Sequence, residues 1–164
     1  MRITRTATTT TAIAVLGLAA LLPSASAAAA SSPTGTPPAA SGLLASSSPK
    51  TVVLNPATGA VVSVTPGEPA IVTSELASPD ISSHNYCNSG DGCYYSGKAP
   101  YANQGFYGSA GSYHGNWPDR NAWDTGNYTA YACWTGACSE SWFGPNTYVT
   151  FSGSLVNGTV FGIK

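Results

Sequence analysis

The groups that could do chemistry in this chain are few: His84 and His114, with Asp91, Asp119, Asp124 and Glu140. No His-Glu-x-x-His run offers paired zinc ligands, and no Gly-x-Ser-x-Gly run offers a nucleophile elbow. His114 with Asp119 or Asp124 and one of many serines would make a triad, but serine is too common here for that to discriminate. Paired carboxylates for glycoside cleavage are equally unconstrained. The sequence therefore reads as non-enzymatic, with no catalytic residue and no cofactor. His114, between Tyr113 and Gly115, reads as a surface loop residue.

The large side chains that must position any site are unevenly placed. All 17 aromatic residues fall between Tyr86 and Phe161, and the four cysteines between Cys87 and Cys138. Only residues 84–164 thus carry the bulk a small core needs. An even cysteine count in a small module reads as two disulfides. Four cysteines allow three pairings, and the sequence does not choose among them. Turn-rich intervals favour local closure: Asn88-Ser89-Gly90-Asp91-Gly92 between Cys87 and Cys93, and Trp134-Thr135-Gly136-Ala137 between Cys133 and Cys138. Each local bridge would contribute about 2 kcal/mol. Zinc suits these spacings poorly, so no metal is expected.

Residues 1–27 read as a secretory signal peptide, with Arg2 and Arg5 before the apolar stretch Thr11–Leu22 and Ala25-Ser26-Ala27 as the cleavage pattern. The apolar stretch is shorter than the roughly 20 residues of a membrane span. A secreted chain is expected, with no membrane association after cleavage. Beyond residue 27, four basic side chains face seven acidic ones, a net charge of −3. Such a chain is not a nucleic-acid binder, because phosphate neutralisation needs clustered Lys and Arg.

Residues 28–49 are Ala/Ser/Pro-rich and read as disordered. Thr51–Leu54 and Ala60–Val64 flank Asn55-Pro56-Ala57-Thr58-Gly59, a β-hairpin signal within residues 50–66. A lone hairpin is marginal in water, so it either docks on the C-terminal module or stays mobile. Residues 67–83 read as a linker. From Cys87 onward, short apolar runs alternate with glycine. Strands are expected at Tyr128–Trp134, Tyr148–Phe151 and Thr159–Ile163, in an all-β module of two packed sheets.

Tyr101-Ala102-Asn103-Gln104-Gly105-Phe106-Tyr107-Gly108 resembles the aromatic-x-x-x-x-aromatic-x-Gly signature of βγ-crystallin Greek-key motifs, with Tyr101, Phe106 and Gly108 on its fixed positions. Gly108 falls where the motif needs a backbone conformation that side chains disfavour. Trp142-Phe143-Gly144 is a degenerate second aromatic-x-Gly. With the secretion signal and two small cysteine loops, residues 84–164 resemble the βγ-crystallin-like metalloproteinase inhibitors secreted by actinomycetes. The resemblance implies a disulfide-stapled double Greek-key sandwich, monomeric, that occludes a peptidase cleft with a rigid loop. Trp117–Asn127 is the candidate loop. The six-residue calcium run of the superfamily, two Asn/Asp residues, two variable positions, Ser or Thr and then Ser, is missing, and Asp119, Asn121 and Asp124 read instead as part of a solvated loop. The alternative partner is a cell-wall glycan stacked on Trp117, Trp123 and Trp142; a structural envelope protein is a further alternative. Asn127-Tyr128-Thr129 and Asn157-Gly158-Thr159 match the glycosylation acceptor pattern.

Overall fold

The computed structural model describes residues 38–67 and 80–164. The signal segment 1–27 and most of the linker 67–83 lie outside the described residues. The hairpin region supplies β1 (Lys50–Leu54) and β2 (Val61–Pro66), which pair antiparallel. The turn between them follows from its residues: Asn55 Oδ1 accepts the Ala57 N–H at 2.9 Å, and the Gly59 N–H donates to the Asn55 carbonyl at 2.8 Å.

Eight further strands complete the fold: β3 (Ser82–His84), β4 (Gly92–Ser96), β5 (Gln104–Tyr107), β6 (Gly111–Asp124), β7 (Ala130–Trp134), β8 (Ala137–Cys138), β9 (Thr147–Phe151) and β10 (Val156–Ile163). Strand β6 belongs to two neighbourhoods. Its first half pairs with β10, which pairs with β7 and then β8. Its second half is flanked by β4 and β9; β4 continues to β5 and β3, and β9 continues to β1 and β2. Among the described residues pairing is antiparallel throughout except β1 with β9. Between the halves Pro118 lacks a donor and Asp119 adopts φ 55°, and the register shifts on both β4 and β10. Those irregularities bend the strand where it changes partners.

The chain is thus all-β with two disulfides, Cys87–Cys93 and Cys133–Cys138. The bridges are compatible with an extracellular protein. Among the described residues no helix is long and apolar enough to cross a membrane.

The core is aromatic. Phe106 stacks on Phe161 at 4.3 Å and meets Trp117 edge-on at 5.1 Å. Tyr94 packs against Trp117 and Phe161, and its hydroxyl donates to the Cys133 carbonyl at 2.9 Å. Gly92 leaves the space this requires, since a Cβ there would lie 2.5 Å from the Phe161 ring. Arg120 is buried in the same region without a carboxylate. Its Nε donates to Pro118 and its Nη1 to Ala102, at 3.0 and 2.7 Å, tying the 97–103 loop to β6.

Three expectations are corrected. Residues 38–49 are not disordered: Pro38–Ala45 form a short helix, α1, and Leu44 is buried in the core. Composition averages over a segment, whereas one anchored leucine and the Lys50 ammonium, which donates to the Ser46 and Ser48 carbonyls, hold this one. The folded body does not begin at residue 84, because β1 carries Val52 and Leu54 into the core beside β9. Finally, residues 117–124 are not a loop but the second half of β6, where Trp117, Arg120, Ala122 and Trp123 are buried.

Candidate functional site

Three chain segments meet beside the open ends of β4, β6 and β9 and enclose a cleft of about 260 Å³. The first is the loop 88–91, closed by the Cys87–Cys93 bridge. Within it the Asn88 N–H donates to Asp91 Oδ2 at 2.9 Å and the Asp91 N–H to the Asn88 carbonyl at 3.3 Å. His84 Nε2 reaches the same Asp91 oxygen at 2.7 Å.

The second segment is the turn after β6. Gly126 takes φ 54°, and a Cβ there would lie 2.2 Å from the Asp91 carbonyl oxygen. Only glycine lets the two loops come this close. The Asn127 N–H then donates to the Gly90 carbonyl at 2.9 Å.

The third segment, 144–148, is joined to the second through two fully buried threonines. The Thr147 N–H donates to Thr125 Oγ1, and both hydroxyls donate to the Gly144 carbonyl, at 3.0 Å from Thr125 and 2.6 Å from Thr147. Asn146 ties this wall to the N-terminal strap: its side chain donates to the Ser47 carbonyl and its own carbonyl accepts from the Lys50 N–H. The cleft is held in shape before any ligand arrives.

Its lining combines amides, carboxylates and rings: Asn88, Asn127 and Asn146, Asp91 and Asp124, Tyr95 and Tyr148. The tyrosine rings are 5.8 Å apart and tilted by 54°. Tyr95 donates its hydroxyl to Asp124, and the Gly126 N–H donates to the other Asp124 oxygen at 3.2 Å. Burial pushes the Asp124 carboxyl up to about 6, and the negative charge of Asp91 adds to the rise against the opposing hydrogen bonds from Tyr95, Gly126 and Cys93. Burial, then the nearby Asp124, raises both Tyr95 and Tyr148 above the ordinary phenol range.

The elevated carboxyl has a consequence for stability. The folded protein holds an extra proton at Asp124 between about pH 4 and pH 6, where the unfolded chain has released it. This contribution is complete below about pH 4 and is lost as pH rises through about 6. Wild type should therefore lose stability relative to Asp124→Asn across that interval, by roughly 1–3 kcal/mol in urea unfolding. Parallel pH courses for the two proteins would mean that the carboxyl titrates normally.

No family model, curated protein or solved structure matches the chain.

The residues singled out in the sequence scatter. Trp117 and Trp123 are buried, so neither is part of a binding surface; a small body needs such large side chains as core. Trp142 is exposed at 37 %, with Tyr131 edge-on at 4.5 Å and the Lys164 ammonium 4.4 Å above its ring. Phe106 is fully buried on β5, Gly108 has φ 105° after it, and Tyr101 is 42 % exposed ahead of it. His114 and Asp124 lie ten residues apart on β6, roughly 30 Å at strand rise, so they do not meet in one site. Asp119 and Asn121 stay on the strand, away from the cleft that Asp124 lines. Among the described residues no three His, Cys, Asp or Glu side chains gather as metal ligands.

The cleft itself was missed. Its signal was present in the turn clusters 88–91, 124–127 and 144–147, each rich in Asn, Asp, Gly or Thr. Nothing local says that three such turns converge.

Proposed function

We propose that this chain is a secreted, non-enzymatic binding protein on a βγ-crystallin-like scaffold, and that the cleft takes a sugar unit of a cell-wall polysaccharide. The carrying observation is the lining: three asparagines and two aspartates beside two tyrosine rings. Amides and carboxylates match ring hydroxyls, and an exposed ring such as Tyr148 matches the apolar face of a sugar. Both carboxylates already accept hydrogen bonds from the protein, from His84 and Asn88 in one case and Tyr95 and Gly126 in the other. Groups fixed this way serve recognition better than proton shuttling.

The crystallin-like scaffold is supported by the positive φ of Gly108 and the buried Phe106. Strand order departs from a simple Greek key, since β6 and β7 do not pair and β10 lies between them. The exposed position of Tyr101 departs from the signature's packed first aromatic.

A second reading, peptidase inhibition, is favoured by a different observation. The loop carrying exposed Asn88 and Ser89 is closed by a disulfide and pinned by Asp91, so it would lose little entropy on entering a protease cleft. The two separate in one experiment. Purified protein is mixed with insoluble cell-wall glycans and, separately, with a thermolysin-like protease. Depletion from solution by the glycan with unchanged peptidase rates at micromolar protein is the expected result. Inhibition without depletion would replace the glycan by a protease as the partner.

A further inference from the structure

We infer that the cleft selects a sugar unit carrying a protonated amine, and that Asp124 with the rings of Tyr95 and Tyr148 forms the subsite for that ammonium. This rests on the glycan reading above and names the feature of the glycan that is recognised.

The two carboxylates in the cleft are not equivalent. Asp91 has a basic side chain beside it, His84, whose Nε2 lies 2.7 Å from its Oδ2. Asp124 has only neutral donors, the Tyr95 hydroxyl and backbone N–H groups. The titratable groups facing it are Asp91 from the 88–91 loop, Tyr95 from β4 and Tyr148 from β9, and none of these supplies positive charge. The described cations with assigned contacts are turned elsewhere: Lys50 to Ser46 and Ser48, Arg120 to carbonyls, Lys164 to Trp142.

A largely buried carboxylate without a counter-charge is unfavourable, and a ligand cation beside it gains more than it would in water. The tilted tyrosine pair adds ring faces against which an ammonium is attracted. A neutral sugar would cover Asp124 and leave it unpaired. An N-acetylated one would also bring an acyl group into a cleft of only about 260 Å³. Free-amine sugars are therefore preferred, while Asn88 and Asn127 are placed for hydroxyls.

The test is calorimetric titration of the full chain with a glucosamine oligomer and with the N-acetylated oligomer of equal length. The amino form is expected to bind about tenfold more tightly near pH 7. Asp124→Asn should abolish the preference, bringing the amino form down to the level of the acetylated one. Tyr148→Leu, at a 41 % exposed position, should weaken both forms through lost stacking and the amino form more, through the lost ring face. Because burial holds Asp124 near 6, affinity for the amine should fall as pH drops below about 6. Equal binding of both oligomers, or no selective effect of either variant, overturns the ammonium subsite and leaves the glycan reading standing. Failure of both oligomers to bind overturns both. A lysine oligomer binding as tightly as the amino sugar overturns the sugar assignment.

Discussion

Gly59→Ala is expected to be the most damaging small substitution in the chain, with a loss of at least about 3 kcal/mol. Two penalties combine. Gly59 has φ 76°, which alone costs a side chain about 1–2 kcal/mol. In addition, a Cβ there would lie 1.6 Å from the Cys138 carbonyl oxygen and 2.7 Å from its carbon. Neither atom can move without shifting β8. The hairpin turn is also fastened at this point: Glu140 N–H donates to the Gly59 carbonyl, Val61 N–H donates to Glu140 Oε1, and the Trp134 indole donates to the Pro56 carbonyl. Displacing the turn would strain all three. Gly136→Ala is the matched control, since Gly136 has φ 97° but open space around the missing Cβ. Urea midpoints should show Gly59→Ala well below Gly136→Ala. Equal losses would mean that the hairpin does not rest on β8.

Phe106→Ala is expected to cost about 3–5 kcal/mol. The ring is fully buried, stacked on Phe161 and edge-on to Trp117 and Tyr94. Its removal leaves a cavity that neither rigid strand pairing nor the other rings can fill. Tyr101→Ala, at a side chain 42 % exposed, is expected to stay within about 0.5 kcal/mol. Thermal unfolding of the two variants bears directly on the proposed crystallin-like scaffold. A large loss at Tyr101 would mean that both aromatics of the signature are structural, as in that family. The expected asymmetry would mean that the octapeptide is used here chiefly to bury one ring.

What could be read from the sequence was whatever is encoded locally. The strands at Tyr148–Phe151 and Thr159–Ile163 are short apolar runs bounded by turn residues, and they form β9 and the end of β10. The hairpin of residues 50–66 announces itself through Asn55-Pro56 and Gly59. Turn-forming intervals favoured the local disulfide pairs that form, Cys87–Cys93 and Cys133–Cys138, although the sequence left three pairings open. Burial of Trp117 and Trp123 could not be read, because glycine, proline and aspartate around them mimic a loop. Those same residues serve as the bend at Asp119 and as ring seats: a Cβ on Gly115 would lie 2.4 Å from Trp117. The helix at Pro38–Ala45 was invisible for another reason, since its stability comes from Leu44 packing on a sheet built by residues far along the chain. The cleft was illegible for the same cause. Asp91, Asp124 and Asn146 acquire a shared environment only when three distant turns are brought together.

The lone parallel pair has a consequence in time. Lys50–Leu54 lies register to register with Thr147–Phe151, so an early-made strand must wait for a neighbour that lies far along the chain. Contacts this remote along the chain slow folding.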